Sequence, residues 1–195
     1  MFFPKSHILH MRGVVPHRDC DNIIHYFESN VELHYKGSTS NNLGETEKKD
    51  TEILCNSSKS NLNWIKKYLH IALKEYKKQY PMTEKLSSWS FFPEYKIQRY
   101  HPSEGYFLLH FENGGMIKSE PEISQRVLAW MIYLNNVTDG GYTEFPDQRK
   151  KFQPRVGDIL IWPAYFTHPH RGIVSNTQTK YIATGWFNFD PVDFL

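Results

Sequence analysis

The sequence predicts a mainly β domain with helices at its N-terminal end, and two features carry that prediction. From Trp89 onward, short runs rich in β-branched and aromatic residues follow one another, separated by Gly, Pro, Asn and Asp. No helical period lies between these runs, which is typical of an antiparallel sandwich or barrel. The predicted strands are Tyr95–Tyr100, Tyr106–Phe111, Arg126–Leu134, Tyr142–Phe145, Asp158–Trp162, His170–Val174 and Tyr181–Phe189.

Residues 1–88 are predicted to form a helical scaffold for that β core. Asp19 can cap a helix over Cys20–Ser29. A second amphipathic helix follows one of two asparagines, at position 61 or 63, and ends before Pro81. Between the helices, Lys36–Ser60 is rich in Ser, Asn, Lys and Glu, so it is predicted to be a loop. The prediction is one domain over residues 1–195, helical to residue 88 and β from residue 89.

Length and composition are those of an ordinary globular domain. The chain has 195 residues, of which 39% are hydrophobic, and no apolar run approaches the roughly 20 residues of a membrane span. Pro4 and Lys5 interrupt the N-terminal stretch, which makes it a poor signal peptide. Cys20 and Cys55 stand far apart, as expected of free thiols in a reducing compartment. A soluble, cytoplasmic protein is therefore predicted.

A histidine and a glutamate stand two residues apart at the end of the second predicted strand. Because side chains alternate along a strand, His110 and Glu112 are predicted to share one face, while Phe111 faces the core. A second histidine from a distant strand would complete a 2-His-1-carboxylate face, which leaves positions of an octahedral Fe(II) open. The pair alone is weak evidence, because a surface histidine beside a solvated glutamate shows the same pattern.

The segment Pro163–Gly172 offers two candidates for the second histidine, His168 and His170. It follows one buried strand and precedes another. Ten residues past His170 stands Lys180, at the start of a buried apolar strand. A cation that enters such a strand is costly unless it meets an anion. The 5-carboxylate of 2-oxoglutarate would be such an anion.

Taken in order, these motifs resemble the prolyl 4-hydroxylase-like branch of the 2-oxoglutarate/Fe(II) oxygenases, especially the short, stand-alone members found in bacterial viruses. The resemblance covers roughly Tyr95 to Phe189, about half of the chain. A weaker similarity lies in Val14–Phe27, which resembles the helix that opens this domain. The motifs that carry it are Tyr100, Gly105–Tyr106, His110–Glu112, Arg126–Asn135, Gly140–Phe145, Pro154–Asp158, His170–Gly172 and Lys180.

The resemblance implies a double-stranded β-helix of the jelly-roll or cupin-like kind, flanked by helices. It also implies Fe(II), 2-oxoglutarate and O₂, with ascorbate as a reductant, and hydroxylation of an unactivated C–H bond with release of succinate and CO₂. The interval to Lys180 favours His170 over His168 as the distal ligand. The implied iron ligands are His110, Glu112 and His170, and the implied 2-oxoglutarate-binding residues are Lys180, Tyr133, Tyr100 and Thr184. For each tyrosine, a core aromatic with a satisfied hydroxyl is the alternative.

One residue departs from the family pattern, and the sequence leaves alternatives for the residues that would contact the substrate. Most of the family has aspartate where this chain has Glu112, which has one more methylene and can still reach an iron ion. Arg171 is predicted either to face the substrate or to form a surface salt bridge, and Trp186 either to line the site or to pack in the core. Three loops are expected to shape the substrate site: Lys36–Ser60, Asn113–Gln125 and Asp147–Gln153.

The predicted partner is a protein, peptide or amino-acid substrate, most simply a prolyl residue, and other classes compete with it. A nucleic-acid dealkylase of the same superfamily would clamp 2-oxoglutarate with arginines and carry a basic surface. Lys180 and a net charge of only +2 count against that partner. A non-enzymatic β-helix protein, or a virion protein with a decayed site, would lack an iron ligand or the carboxylate-binding cation. Both are present in this chain.

Overall fold

The computed structural model describes residues 5–38, 47–58, 65–115 and 121–191. Within these ranges the helices are α1 (His17–Ser29) and α2 (Ile65–Gln79). Short 3₁₀ turns lie at Val31–Leu33, Pro81–Lys85 and Pro121–Gln125. The strands are β1 (Leu9–Met11), β2 (Tyr35–Lys36), β3 (Lys48–Lys49), β4 (Thr51–Asn56), β5 (Trp89–Tyr100), β6 (Gly105–Tyr106), β7 (Arg126–Tyr133), β8 (Thr143–Phe145), β9 (Lys150–Phe152), β10 (Ile159–Pro163), β11 (Arg171–Gly172) and β12 (Lys180–Phe189).

One antiparallel sheet of seven strands, the major sheet, organises the fold. Its strand order is β1-β10-β7-β12-β5-β4-β2. Side chains alternate between its two faces, as the pleat requires. On β7, Trp130 and Ile132 belong to the outer hydrophobic cluster, whereas Met131 and Tyr133 belong to the inner one. The sheet is therefore buried on both faces at its centre.

Both helices cover the outer face of the major sheet. Ile23 and Phe27 of α1 lie one turn apart, and Leu69 and Tyr76 of α2 recur at helical spacing. All four are buried in the same cluster as the outer-facing strand residues. The helices are thus the scaffold that the sequence predicted, and they leave the inner face to the functional site.

Two smaller sheets oppose the inner face of the major sheet. One has the order β11-β8-β9, and the other pairs β3 with β6. Phe145 of β8 and Phe152 of β9 pack against inner-facing residues of β7 and β10. An isolated antiparallel bridge between His110 and His170 links the segment after β6 to the segment before β11. The result is a two-layered β core with a cavity between the layers.

The N-terminal part contains more β structure than the sequence predicted. Strands β1 and β4 join the major sheet, so residues 1–88 do not form a purely helical unit. The predicted loop Lys36–Ser60 contains β3 and β4 among its described residues. The alternation was hidden because Lys48, Asp50 and Glu52, which are buried, are all charged. Charged residues at alternate positions give a sequence no apolar face.

Several boundaries differ from the predicted ones. The strand predicted over Tyr106–Phe111 is reduced to β6, and the strand predicted over His170–Val174 to β11. Helix α1 begins at His17 after Pro16 instead of being capped by Asp19. The start of the second helix lies outside the described residues, as does part of the loop Asn113–Gln125. No helix in the described part of the chain is both long and apolar enough to cross a membrane.

Candidate active site

The cavity between the two layers holds most of the residues singled out from the sequence. One wall is the inner face of β5 and β12, and the other carries the bridged histidines. The lining includes His110, Glu112, His170, Lys180, Tyr100, Thr184 and Trp186. The fold therefore brings the predicted iron ligands and Lys180 into one enclosure from segments distant in sequence.

The bridge between the two histidines fixes their backbones, and contacts of each Nδ1 with a carbonyl oxygen fix their tautomers. His110 N donates to His170 O at 3.0 Å, and His170 N donates to His110 O at 2.8 Å. The Nδ1 of His110 lies 2.9 Å from Leu108 O, and the Nδ1 of His170 lies 3.0 Å from His168 O. Because a carbonyl oxygen only accepts hydrogen bonds, each Nδ1 must carry the hydrogen that it donates. Both Nε2 lone pairs are then available to a metal, as in most histidine metal sites.

Aromatic neighbours hold the two imidazole rings. Tyr106 stacks on His110 with the ring centroids 3.6 Å apart. Phe145 stacks on His170 with the centroids 5.2 Å apart, and Trp162 meets the same ring edge-on at 5.0 Å. These contacts restrict ring rotation, so the Nε2 atoms stay directed at the centre of the site.

Glu112 completes the cluster, and its two oxygens have different surroundings. Oε1 lies 3.2 Å from His170 Nε2 and 3.7 Å from His110 Nε2. Oε2 accepts a hydrogen bond from Trp186 Nε1 at 2.9 Å and lies 3.7 Å from Arg126 Nη1. Burial raises the pKa of the Glu112 carboxyl, but contacts with the two imidazoles outweigh it and hold that pKa well below its usual range. Glu112 is therefore a carboxylate.

The three ligand atoms fit a metal ion. They all lie within 4.8 Å of one another. Burial, with a smaller contribution from His170, lowers the pKa of His110, which favours the neutral ring that a metal binds. With each Nδ1 committed to a carbonyl, Nε2 can donate to Glu112 only from a protonated ring. A cation placed between the three atoms takes the place of that proton, and two imidazoles with one carboxylate suit Fe(II).

His168 lies outside the cluster. Its Nε2 lies 2.9 Å from Ser6 O, and its Nδ1 lies 2.9 Å from Thr167 Oγ1. Both ring nitrogens thus have partners, and the contact with Ser6 ties the N-terminal segment to the core. Of the two candidate histidines, the geometry favours His170.

Lys180 is a buried cation whose side chain opens into the cavity. Only 6% of the residue is exposed, and among the described residues no carboxylate forms an ion pair with it. Burial lowers the pKa of Lys180 to about 8. Its Nζ lies 5.6 Å from the Tyr100 ring centre and 5.7 Å from the Tyr133 ring centre. An ammonium ion in this position suits the carboxylate of a ligand.

The hydroxyl groups predicted to accompany Lys180 have protein partners. Tyr100 lines the cavity, and its hydroxyl donates to Gln98 Oε1 at 3.0 Å. Thr184 also lines the cavity and donates to Trp130 O. Tyr133 is fully buried behind the lining, and its hydroxyl lies 2.7 Å from Thr143 Oγ1. Contact of these three hydroxyls with 2-oxoglutarate stays a prediction.

Comparison with known proteins agrees with this geometry. Residues 95–188 match the sequence model of the 2OG-Fe(II) oxygenase superfamily, and this stretch contains the three cluster residues and Lys180. Residues 95–188 form a 2OG-Fe(II) oxygenase domain. A protein of Acanthamoeba polyphaga mimivirus assigned as a prolyl 4-hydroxylase is 38% identical over 71 residues, which cover 32% of this chain and 29% of that protein.

Solved structures share the fold of the oxygenase domain together with its helices. A viral collagen prolyl hydroxylase from Paramecium bursaria Chlorella virus 1, in a 2OG complex, has a TM-score of 0.70 at 16% identity, with 94% of this chain and 97% of that chain covered. A prolyl hydroxylase from Trichoplax adhaerens, in complex with a hypoxia-inducible factor peptide, has a TM-score of 0.72 at 16% identity, with 95% and 84% covered. The predicted double-stranded β-helix with flanking helices is confirmed.

Of two exposed side chains of the oxygenase domain, Phe111 differs from its predicted setting, whereas Arg171 has one of the two settings that the sequence left open. Phe111 was expected in the core but is 43% exposed at the cavity, because the segment carrying it forms only a bridge and not a strand. Arg171 forms a surface ion pair with Glu144 at 2.8 Å and is not among the cavity-lining residues. A substrate contact by Arg171 stays a prediction, whereas Trp186 does line the cavity.

A buried ionic cluster beside the candidate active site was not predicted from the sequence. Lys48 and Glu52 bond to each other, and Glu52 also bonds to Lys96 Nζ at 2.8 Å and Gln98 Nε2 at 2.6 Å. Lys48, Lys96 and Gln98 line the cavity. Asp50 lies 3.3 Å from Lys48 Nζ. One signal could have located this cluster. Lys48, Asp50 and Glu52 are charged residues at alternate positions, which is the spacing of one face of a strand, in a segment that was predicted to be a loop.

Replacing Glu52 by glutamine is expected to destabilise the folded protein by about 3–5 kcal/mol, because Lys48 and Lys96 would keep their charges without their shared carboxylate. Burial raises the pKa of Glu52, but Lys48 and Lys96 outweigh it and lower that pKa to about 2, so the carboxylate is ionised at neutral pH. Urea unfolding measures the loss. Glu144→Gln, at the partly exposed pair with Arg171, is the matched control and should cost less than about 1 kcal/mol. Equal losses of the free energy of unfolding in the two variants would contradict a stabilising role for the buried ion pairs.

Proposed function

We propose that this chain is an Fe(II)- and 2-oxoglutarate-dependent dioxygenase that hydroxylates an unactivated C–H bond of a prolyl or other amino-acid residue in a peptide or protein. The observation that carries the proposal is the meeting of His110, Glu112 and His170 in one cavity with Lys180, a cation that no carboxylate of the described residues pairs with. A metal face with open positions and a buried carboxylate receptor are the two features that a chelating dicarboxylic acid needs.

Separate side chains of the protein would bind the metal and the co-substrate. His110 Nε2, His170 Nε2 and Glu112 Oε1 would hold Fe(II), and Lys180 would bind the far carboxylate of 2-oxoglutarate and so orient its other end toward the metal. Bound Fe(II) and 2-oxoglutarate supply the oxidation, in which O₂ is consumed, 2-oxoglutarate gives succinate and CO₂, and the substrate gains a hydroxyl group. The Tyr106 and Phe145 rings keep the imidazoles in place during this cycle.

A peptide substrate with a prolyl residue is supported by the relatives. The mimivirus protein is assigned as a prolyl 4-hydroxylase, and the Trichoplax enzyme holds a peptide fragment. The cavity is lined by both aromatic and polar residues, which suit the apolar ring and the polar backbone of a prolyl peptide. The same walls would also accommodate another amino-acid side chain, and a matched peptide with alanine in place of proline distinguishes the two cases.

The test is coupled turnover with matched peptides. The protein, Fe(II), 2-oxoglutarate and ascorbate as reductant are incubated in air and under argon with a proline-rich peptide, or with the same peptide carrying alanine for proline. We expect succinate only in air, and a mass gain of one oxygen only on the proline peptide. Succinate without a modified proline peptide would overturn the prolyl substrate and direct the search to other residues. No succinate and no binding of Fe(II) or 2-oxoglutarate would overturn the reaction class and favour a non-enzymatic β-helix protein.

A further inference from the structure

Glu112 stands where most of the oxygenases that this chain resembles have aspartate, and the structure suggests what holds the longer side chain. Its Oε1 faces the imidazoles of His110 and His170. Its Oε2 accepts the indole N–H of Trp186 at 2.9 Å. The guanidinium of Arg126 lies 3.6 Å from the centre of the Trp186 ring, and its Nη1 donates to Glu112 O at 2.9 Å.

We infer that Trp186 and Arg126 are positioning residues that make Glu112 offer a single oxygen, Oε1, to the metal. The inference rests on the proposed function in that the cluster must bind a metal. Trp186 holds Oε2 directly. Arg126 holds the Glu112 backbone and stacks on the indole, so the carboxylate, the ring and the guanidinium form one unit.

The unit connects opposite walls of the cavity. Trp186 lies on β12 in the major sheet, whereas Glu112 follows the histidine bridge on the other side. A glutamate has one more rotatable bond than an aspartate and loses more freedom when it is fixed. A hydrogen bond from a rigid strand removes that freedom before the metal arrives. Outer partners of this kind orient the ligand and tune its affinity for the metal.

The hydrogen bond from Trp186 Nε1 to Glu112 does not arise simply because buried tryptophans in this fold find an acceptor. Trp130 and Trp162 are both buried, and their indole N–H groups have no hydrogen-bond partner in the described part of the chain. Trp186 is only partly buried, yet its N–H is directed at the carboxylate. Removing one methylene in Glu112→Asp would draw the carboxylate back by about 1.5 Å. The shortened side chain would then no longer reach the indole N–H of Trp186.

The experiment is a double-mutant cycle on metal affinity, without 2-oxoglutarate or O₂. Mn(II) binding is followed by electron paramagnetic resonance, and Co(II) binding by its visible absorption, whose intensity reports the ligand set. The variants are Trp186→Phe, Glu112→Asp and the double variant. Trp89→Phe is the matched control, because it loses an indole bond of the same kind, to Thr83 O, away from the cavity.

We expect Trp186→Phe to weaken Mn(II) binding about tenfold or more and to change the Co(II) spectrum, with Trp89→Phe unchanged. In the Glu112→Asp background, Trp186→Phe should have little further effect, because aspartate does not reach the indole. Wild-type affinity in Trp186→Phe, or losses that simply multiply in the double variant, would overturn the inference. A wild-type protein that bound neither metal would instead overturn the proposed iron site. Thermal unfolding of each metal-free variant shows whether it is folded. Arg126→Lys, which keeps the charge, serves as a second variant with a smaller expected loss of metal affinity.

Discussion

Replacing His170 by alanine is expected to weaken the binding of Fe(II) or Mn(II) by more than about a hundredfold, since even an outer partner of a metal ligand is worth ten- to a hundredfold. Replacing His168, only two residues earlier, should leave metal affinity within a few-fold of wild type. The reason is geometric: His170 Nε2 lies 3.2 Å from Glu112 Oε1, whereas both nitrogens of His168 are engaged elsewhere.

The measurement is an anaerobic metal titration of the two variants beside the wild type. His168→Ala loses its bond to Ser6 O and should unfold with about 1 kcal/mol less free energy, which gives an independent sign that the substitution acts. His170→Ala should keep a folded metal-free state, because its backbone bridge to His110 does not need the imidazole. Loss of metal in His168→Ala with retention in His170→Ala would reverse the assignment of the distal ligand.

The cluster of His110, Glu112 and His170 was predictable because it depends on few local features. Two spacings in the sequence were enough: ten residues from His170 to Lys180, and two from His110 to Glu112. They locate the cluster even though the structure has no strand at His110. A single backbone bridge is enough to bring the two histidines together. The order of motifs along the chain therefore predicted the site better than the predicted strand boundaries did.

The outer partners of the site were not predictable from the sequence. Trp186 and Glu112 meet only because β12 and the segment after the bridge face each other across the cavity. Lys48 and Glu52 were assigned to a loop because buried charges are rare, and their pairing with Lys96 depends on the register of β4 beside β5. Contacts of this kind depend on which strands become neighbours, and local patterns do not carry that information.

Replacing Lys180 by methionine is expected to have two opposite effects: weaker 2-oxoglutarate binding and a more stable unliganded fold. Burial lowers the pKa of Lys180 from 10.5 to about 8. Each pKa unit corresponds to about 1.4 kcal/mol, so holding the charged form in the empty cavity costs roughly 3 kcal/mol. Methionine fills a similar volume without that cost. Loss of the buried cation that faces a ligand carboxylate is worth about 2–5 kcal/mol of binding, a reduction in affinity of roughly thirtyfold to several thousandfold.

The pKa shift also fixes the pH range in which the stability difference appears. Below about pH 8, Lys180 is protonated in both the folded and the unfolded chain, so the full cost is present. Between about pH 8 and 10.5, the unfolded chain holds the proton and the folded chain does not, so the stability of the wild type rises with pH through this group. The difference in free energy of unfolding between Lys180→Met and wild type should therefore be largest at neutral pH and shrink above about pH 8. Other groups that titrate in this range cancel in the difference.

Urea unfolding at pH 7 and near pH 10, together with 2-oxoglutarate titration under argon in the presence of Mn(II), measures both effects. Lys150→Met, an exposed lysine on β9, is the control and should change neither. A variant that is less stable at pH 7 and binds 2-oxoglutarate like wild type would show that Lys180 is an ordinary structural lysine. Gain of stability with loss of binding would mean that the empty protein carries an energetic penalty that only a ligand relieves. A penalty of that kind is expected at a site retained for function, because retention for folding alone would favour an apolar side chain.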